Sequence, residues 1–430
     1  MVVMSAAGRP SPTPAGLTAI QGAALYIAAV LGPGLLVIPA AAVAAAGPSA
    51  LLVLAVLTVL SVTIAVTFAR LGAAIPETGG ITALTLRAFG FRAARISAWV
   101  FFFGVPVGVP ALVLFGAGYL QPVTGGGRSA TFTVAMALLG LCTLINWFGL
   151  KASSRVQIVL CGVLAAAVIT VALIALPGSH PSGLPFPVTH GFVGIATATV
   201  FLVWSLTGWE AATYLAGDFA HPRRDIMRAT TVAVIVVSGT YLLLTLVFAL
   251  NTGAAVTDAP LLFLLAGHVD TSRATALVAA LAVVVTIGGT NVYLASLARF
   301  GAAAASERQL PAWLACSPSC RGRDRRALVT VTVISALGLF GWWLINWDAT
   351  TLAAVCAASQ VAVYLFGLAA ARRLLLAGRV IATAALAVMA GVFLLCGYYL
   401  LAPIAIGVAA TLTGQRARHH PAPARSRTAT

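Results

Sequence analysis

Charge is what this chain most lacks. Only 8% of its 430 residues are Asp, Glu, Lys or Arg, against about a quarter in a soluble domain. A soluble fold, a disordered chain and a fibrous protein are thereby excluded. Lysine is nearly absent, Lys151 being the single example. No Gly-Lys-Ser/Thr occurs, which rules out a Walker-A NTPase, and almost nothing is left for Schiff-base chemistry. The six cysteines are scattered. Cys142, Cys161, Cys356 and Cys396 sit in apolar runs and read as small core residues. Cys316 and Cys320 share a polar loop with no His or further Cys nearby, so free thiols and no metal site are expected. His180, His190, His221, His268, His419 and His420 all fall in expected loops or in the tail. A membrane-embedded enzyme would need such groups inside the apolar runs, so that class is remote.

What is present is apolar residue, 61% of the chain. Runs long enough to cross a bilayer, roughly 20 residues each, fall at 17–43, 49–73, 96–120, 131–149, 155–176, 191–216, 229–251, 274–300, 327–346 and 350–370. The last run, 376–413, is too long for one span and divides into two near Cys396-Gly397. Twelve spans are expected, with a short segment 1–16 before them and a basic tail 414–430 after them. The charge balance, 25 Lys+Arg against 9 Asp+Glu, tests that count. With the N-terminus inside and spans alternating, only Arg128 and Arg273 lie in outer loops. This is the positive-inside pattern for an even number of spans with both termini cytoplasmic. The net +16 therefore reads as topology and attraction to membrane lipid, and no nucleic-acid partner is expected. The chain is expected to be a multi-pass monomer or weak homodimer in a cell membrane.

Two spans carry breaks that a plain anchor does not need. The first reads Gly32-Pro33-Gly34 in mid-span, with Pro39 beyond it. Proline removes an amide donor and glycine admits unusual φ/ψ. The carbonyls of Val30 and Leu31 and the amides of Gly34 and Leu35 are expected to lose helical partners. The sixth reads Trp204-Ser205-Leu206-Thr207-Gly208-Trp209-Glu210. Glu210 is the one acidic residue well inside an apolar run, at a cost of about 2.5–3.5 kcal/mol on insertion scales. Spans one and six hold the same place in two successive five-span units, 17–176 and 191–370. Because five is odd, the second unit enters inverted, and matched interrupted spans point to a transport site. Half-helix N-termini suit a carboxylate and carbonyl ends suit an ammonium. One cavity offering both fits the α-amino-acid zwitterion.

At these residues the sequence resembles the amino acid–polyamine–organocation (APC) superfamily. Four stretches carry the likeness: Gly32-Pro33-Gly34 with Pro39; Pro76-Glu-Thr-Gly79-Gly80 followed by Arg87-Ala-Phe89-Gly90; Trp204-Ser205-x-x-Gly208-x-Glu210 followed by Asp218-Phe-Ala-His221-Pro222-Arg223-Arg224-Asp225-Ile-Met227-Arg228-Ala229; and Arg299-Phe-Gly-Ala running to Leu310-Pro311. The Val105-Pro106-x-Gly108-x-Pro110 stretch and Pro185-Phe186-Pro187 make it look closest to the bacterial methionine and branched-chain amino acid exporters. The resemblance implies a LeuT-type all-α fold, two inverted five-helix repeats plus two helices at 376–413. It maps substrate contacts onto Ala29, Leu31, Gly32, Gly34 and Leu35, and onto Trp204, Ser205, Thr207 and Gly208. It gives Glu210 a part in proton sensing or coupling, and places Thr290 and Asn291 near a cation or substrate position, hydrogen bonding between helices being the equal alternative for those two. Gly79, Gly80, Asp218, Pro222, Arg224 and Arg228 form its cytoplasmic loop motif, with Asp218, Asp225, Arg70, Arg87 and Arg228 either a mouth of ion pairs or solvated charge. Pro33, His221 and Met227 depart from the family pattern. The expected activity is proton-coupled export of methionine, leucine, isoleucine or valine by alternating access. The alternatives are an importer or exchanger of the same superfamily. No cofactor is expected, and a proton is preferred to sodium as coupling ion. Gln360 and Asn146 read as interhelical hydrogen bonds rather than ligands, and Trp342, Trp343 and Trp347 as an interfacial belt.

Overall fold

A computed structural model describes residues 16–75, 80–149, 154–177, 191–255, 259–265, 268–315 and 324–419. Gly79 lies outside the described residues, as do Lys151, Cys316, Cys320 and the Pro185-Phe186-Pro187 stretch. The described chain is helical. Its extended pairing is one isolated parallel bridge, Leu17 with Phe219.

The first apolar run is two helices, α1 (Ala19–Val30) and α2 (Ile38–Ala46), joined by a 3-10 turn at Pro33–Leu36. Thr18 starts α1 with a capping box, its hydroxyl accepting from Gln21 N while Gln21 reaches back to Thr18 N. Twelve residues rise only ~18 Å, about half a bilayer core. At Gly47, φ is +65° and Pro48 follows, so α2 gives way to α3 (Ala50–Ala74). Next come α4 (Gly80–Phe89) and a third span that is not uniform: α5 (Phe91–Trp99), a π segment at Val100–Gly104, a 3-10 segment at Val105–Gly108, then α6 (Val109–Gly118). Pro106 and Pro110 cannot donate to the preceding turn, which accounts for the change of winding there. The short α7 (Gln121–Thr124) leads to α8 (Arg128–Trp147) and α9 (Ser154–Ala175).

The sixth run also divides, into α10 (Gly191–Ser205) and one turn, α11 (Ala211–Tyr214). Then follow α12 (Pro222–Leu250), the short α13 (Thr252–Ala255) and α14 (Pro260–Leu265), and the long α15 (Thr271–Ser306). After α16 (Arg325–Ile345) and α17 (Ala349–Leu374), the chain ends in α18 (Arg379–Leu395) and α19 (Leu401–His419). Those two meet at Cys396-Gly397 with a bend of 107°, and Gly397 takes φ +53° there. The division expected at that dipeptide is present.

Among the described residues, seven stretches are long and apolar enough to cross a membrane: 38–74, 91–118, α8, α12, α15, α16 and α17. The bent pair α18/α19 is an eighth candidate. The helices α1, α4 and α10 and the apolar part of α9 are shorter. Two of these, α1 and α10, are short because they break in mid-run. A multi-pass membrane protein follows from this together with the composition.

The boundaries of α12 correct one expectation. Pro222 is the first residue of that helix, and Arg224 and Arg228 lie in its first two turns rather than in a loop. Proline at N1 has no amide to waste and its φ is already helical, and Asp225 is buried in the first turn, near the positive end of the helix dipole. Gly80 likewise opens α4. Its φ of +57° and the Tyr214 ring lying against it leave no room for a side chain. Asp218 lies in a 3-10 turn before Phe219.

Candidate functional site

Both expected breaks are present, and they touch. Helix α1 stops at Val30. Leu31 still donates to Ile27 O (2.6 Å), Gly32 N bends back to Val30 O (3.1 Å), and Leu35 N closes on Gly32 O (3.0 Å). Two of the four groups expected to be released are thus recaptured locally: the Val30 carbonyl and the Leu35 amide. Buried polar groups without partners are costly, and the single 3-10 turn at Pro33–Leu36 supplies one. Farther on, the Leu36 carbonyl accepts from Tyr119 Oη (2.8 Å).

On the other side, α10 ends at Ser205. Leu206 N shares Leu202 O and Val203 O, and Thr207 N reaches Trp204 O (3.2 Å). Gly208 then takes φ +120°, a region closed to most side chains. A Cβ there would stand 2.7 Å from the Ala29 carbonyl oxygen and 3.0 Å from Val30 Cγ2. The second break therefore lies on the end of α1, backbone against backbone. Trp204 covers the first break: a Cβ on Gly34 would meet its Cζ3 at 3.1 Å. The indole also packs edge-on against Phe115, with centroids 6.1 Å apart. From α15, Gly289 approaches so closely that a Cβ would lie 2.7 Å from Pro33 Cδ. Around Gly32 the situation is reversed. Nothing lies within 4 Å of where its Cβ would be, and Ala29, Gly288, Gly289 and Tyr293 keep partial exposure. A hollow therefore opens beside the broken backbone, while Leu35, Trp204, Ser205 and Thr207 are buried around it.

Glu210 anchors the second break. It is 8% exposed and stands at the N-cap of α11. Its Oε2 accepts from Gly208 N (3.1 Å) and from the Tyr364 hydroxyl. That same hydroxyl oxygen accepts from Gly208 N (2.8 Å) and Trp209 N (3.0 Å). Thr207 Oγ1 lies 2.7 Å from Gln360 Oε1 and 2.6 Å from Trp204 O. Gln360 Nε2 donates to Tyr293 Oη (2.9 Å) on α15. Trp209 Nε1 donates to Ser61 Oγ (2.6 Å) on α3. The unwound segment is thus tied to α3 and α17 by directed bonds, and Gln360 acts as an interhelical hydrogen bond.

Asn291 and Thr290 separate in role. Asn291 Oδ1 accepts from Asn146 Nδ2 (2.7 Å), binding α15 to α8. Thr290 is fully buried and its hydroxyl has no hydrogen-bond partner. Ser205 lies by the Tyr241 hydroxyl, which also points at Val30 O (3.5 Å). Trp342 stacks under Arg128, 4.1 Å from guanidinium carbon to ring centroid, at the end of α16.

Sequence reasoning missed Tyr364, Ser61, Tyr241 and Cys356. A signal existed for two of them. Cys356, Gln360 and Tyr364 are spaced i, i+4, i+8 and share one helix face; Gln360 and Tyr364 bond the break, and Cys356 Sγ reaches Gln360 Oε1 (3.7 Å) and Val105 O (3.3 Å). Ser61 is a single hydroxyl in an apolar span, with no pattern to distinguish it.

The Amino acid permease family model matches residues 17–413. The chain belongs to that family. It is similar to the protein named uncharacterized amino acid permease YecA of Bacillus subtilis, 29% identical over 84% of this chain and 85% of the relative. It is similar to the L-methionine/branched-chain amino acid exporter YjeH of Escherichia coli, 31% identical over 51% of this chain and 53% of the relative. A more distant likeness is to the Asc-type amino acid transporter 1 of Mus musculus, 24% identical over 40% of this chain and 36% of the relative. The permease carries its two broken spans inside the matched region, so amino acid transport is the activity to which the site geometry applies.

Proposed function

We propose that this permease is a secondary transporter exporting neutral, apolar amino acids, methionine or a branched-chain residue, across a bacterial inner membrane by proton-coupled alternating access. The observation that carries the proposal is the meeting of the two breaks. Gly208 presses on the Ala29 carbonyl while space stays open at Gly32, so one hollow borders the carbonyl end of α1 and the start of the Pro33–Leu36 turn. An α-amino acid zwitterion carries its ammonium and its carboxylate on one carbon, and this pair of half-dipoles matches them. Beyond the backbone, Trp204, Leu35 and Phe115 offer apolar surface and no described side-chain charge other than Glu210, which is already engaged. An apolar amino acid side chain fits such a wall. The similarity to the exporter YjeH favours outward movement.

The packing partners support two five-span units with the LeuT-type arrangement and a total of twelve spans. Shifted by five spans, α1 on α12 becomes α10 on α3, and α1 on α9 becomes α10 on α17. Likewise α8 on α15 becomes α16 on α6, and α9 on α12 becomes α17 on α3. The pairs α3/α12, α6/α15 and α8/α16 map onto themselves. Repeats related by a two-fold axis leave that signature. Both termini are then cytoplasmic, and α1 and α3 with α10 and α12 would move against the rest.

Purified protein in proteoliposomes tests this. Leucine and methionine are expected to exchange across the membrane and to accumulate against their gradient when a pH gradient is imposed. Flux of neither sinks the substrate assignment; flux indifferent to the pH gradient sinks proton coupling. In Glu210→Gln the dependence of turnover on pH is expected to flatten, and an unaltered profile would leave Glu210 as a tie for the break alone.

A further inference from the structure

A groove of about 630 Å³ opens where α17 gives way to α18, lined by Arg372, Arg379, Val380, Thr383, Ala384 and Ala387. Its two ends differ in chemistry. At the α17/α18 turn, Arg379 is steered by its own Nε, which donates to the Arg372 carbonyl (3.1 Å). Arg70 reaches the same turn, its Nη1 3.1 Å from where a Cβ on Gly378 would be, and Arg373 lies over the Phe89 ring at 5.5 Å. No Asp or Glu occurs anywhere after Asp348, so nothing downstream in the chain neutralises this cluster. Below it the wall is apolar and bare. Val380 is 82% exposed, and exposed Ala384, Ala387, Val388 and Leu394 continue down α18. Ala387 lies ~10 Å below Val380 along the helix, within a leaflet of ~15 Å.

We propose that this groove seats an anionic glycerophospholipid, its phosphodiester between Arg372 and Arg379 and one acyl chain along Val380, Ala384 and Ala387. Arginine at headgroup depth over an apolar channel suits a lipid better than a free anion, because a soluble phosphate would leave the exposed lower wall unused. The occupant would brace the α17/α18 turn, and α17 carries Tyr364 and Gln360, which hold the sixth-span break.

Native mass spectrometry of the full chain in detergent, titrated with phosphatidylglycerol or phosphatidylcholine of equal chain length, tests the assignment. One phosphatidylglycerol is expected to bind ahead of any phosphatidylcholine. Arg372→Gln with Arg379→Gln is expected to weaken that first binding roughly thirtyfold, the attraction of two basic groups at an anionic headgroup. Both side chains are exposed, so folding is preserved, which an unchanged helical spectrum would verify. Ala387→Trp keeps the charges and blocks the apolar channel, and is expected to weaken phosphatidylglycerol comparably. Equal retention of the two lipids overturns the proposal. So does full affinity in Ala387→Trp, or displacement of the lipid by glycerol 3-phosphate, which would mark a site for soluble anions.

Discussion

At the scale of single residues, Gly208 decides the site. It carries φ +120° and has the Ala29 carbonyl where a side chain would begin. Gly208→Ala must leave that backbone region, at about 1–3 kcal/mol, and must also push α1 away. Transport is expected to fall by at least tenfold with a lowered unfolding temperature, measured by leucine flux and by thermal denaturation in detergent. Gly34→Ala meets only the edge of the Trp204 ring, at 3.1 Å, and an indole can yield by a few tenths of an ångström. Its fold is expected to survive while substrate affinity changes. Equal damage from both substitutions would show that the close approach at Gly208 is unimportant. Tyr364→Phe leaves the Trp209 amide without its acceptor, Gly208 N with Glu210 Oε2 alone, and Glu210 without its hydroxyl donor. A buried amide so orphaned costs about 1–3 kcal/mol. A loss of stability greater than in Ser61→Ala, which removes one acceptor from Trp209, is the expected ordering in a denaturation series.

These residues also show how far the sequence could be read. Gly32-Pro33-Gly34 and Gly208 were legible because proline and glycine act locally, through their own φ and their own missing atoms. Glu210 was legible because a carboxylate in an apolar run is expensive wherever the chain goes. The acceptors were not. Whether a buried hydroxyl such as Ser61 or Tyr364 meets a freed amide depends on which spans become neighbours, and that is a property of the packing. The same holds for the carbonyls of the first break. Val30 O loses its helical partner as expected, yet Gly32 N, just ahead of the 3-10 turn, folds back on it.

At the scale of elements, helix ends deserve the closest reading. The longest helix, α15, begins at Asp270. This carboxylate accepts from Ser272 Oγ (2.6 Å) and Arg273 N (3.0 Å). Both bonds favour the ionised form, the serine hydroxyl first, and hold Asp270 below the usual aspartate range. A depressed folded-state pKa adds stability that is present above the unfolded value and disappears as pH falls through the folded one. Asp270→Ala is therefore expected to lower the unfolding temperature at neutral pH and to make no difference in strong acid. A gap between wild type and variant that persists at low pH would assign the effect to lost packing instead. Another end departs from what the resemblance implies. It puts Arg224 and Arg228 in a cytoplasmic loop motif, yet α12 runs through them, since Pro222 preorganises its first turn and the helix protrudes past the apolar zone. Charge marks where the membrane ends, which is a different place from where the helix ends.

At the scale of the whole molecule, one end is closed by contacts between the first and sixth spans. Leu17 N donates to Asp218 O (2.7 Å) and Ala220 N to Leu17 O (3.2 Å). The Phe219 ring packs on Tyr26, centroids 6.2 Å apart, and occupies the space that a side chain on Gly22 would fill. In the proposed topology this end faces the cytoplasm, and a transporter must open it once per cycle. If the Phe219 contacts break on opening, weakening them shifts the population toward the open form, by tenfold for each 1.4 kcal/mol lost. Ala23, one turn into α1 and 3% exposed, reports on that opening when replaced by cysteine. Alkylation of Ala23→Cys by a soluble maleimide is expected to be slow, and to accelerate on the order of tenfold or more when Phe219→Ala is added. Reactivity of the parent chain's own cysteines, measured in parallel, supplies the baseline. An added amino acid that binds in the hollow should alter the faster rate, because a ligand with unequal affinity for the two forms must move their balance. If Phe219→Ala leaves the alkylation rate where it was, the aromatic contact does not hold this end closed, and the rocking of the first and sixth spans must be controlled by the ties from Tyr364 and Ser61 deeper in the molecule.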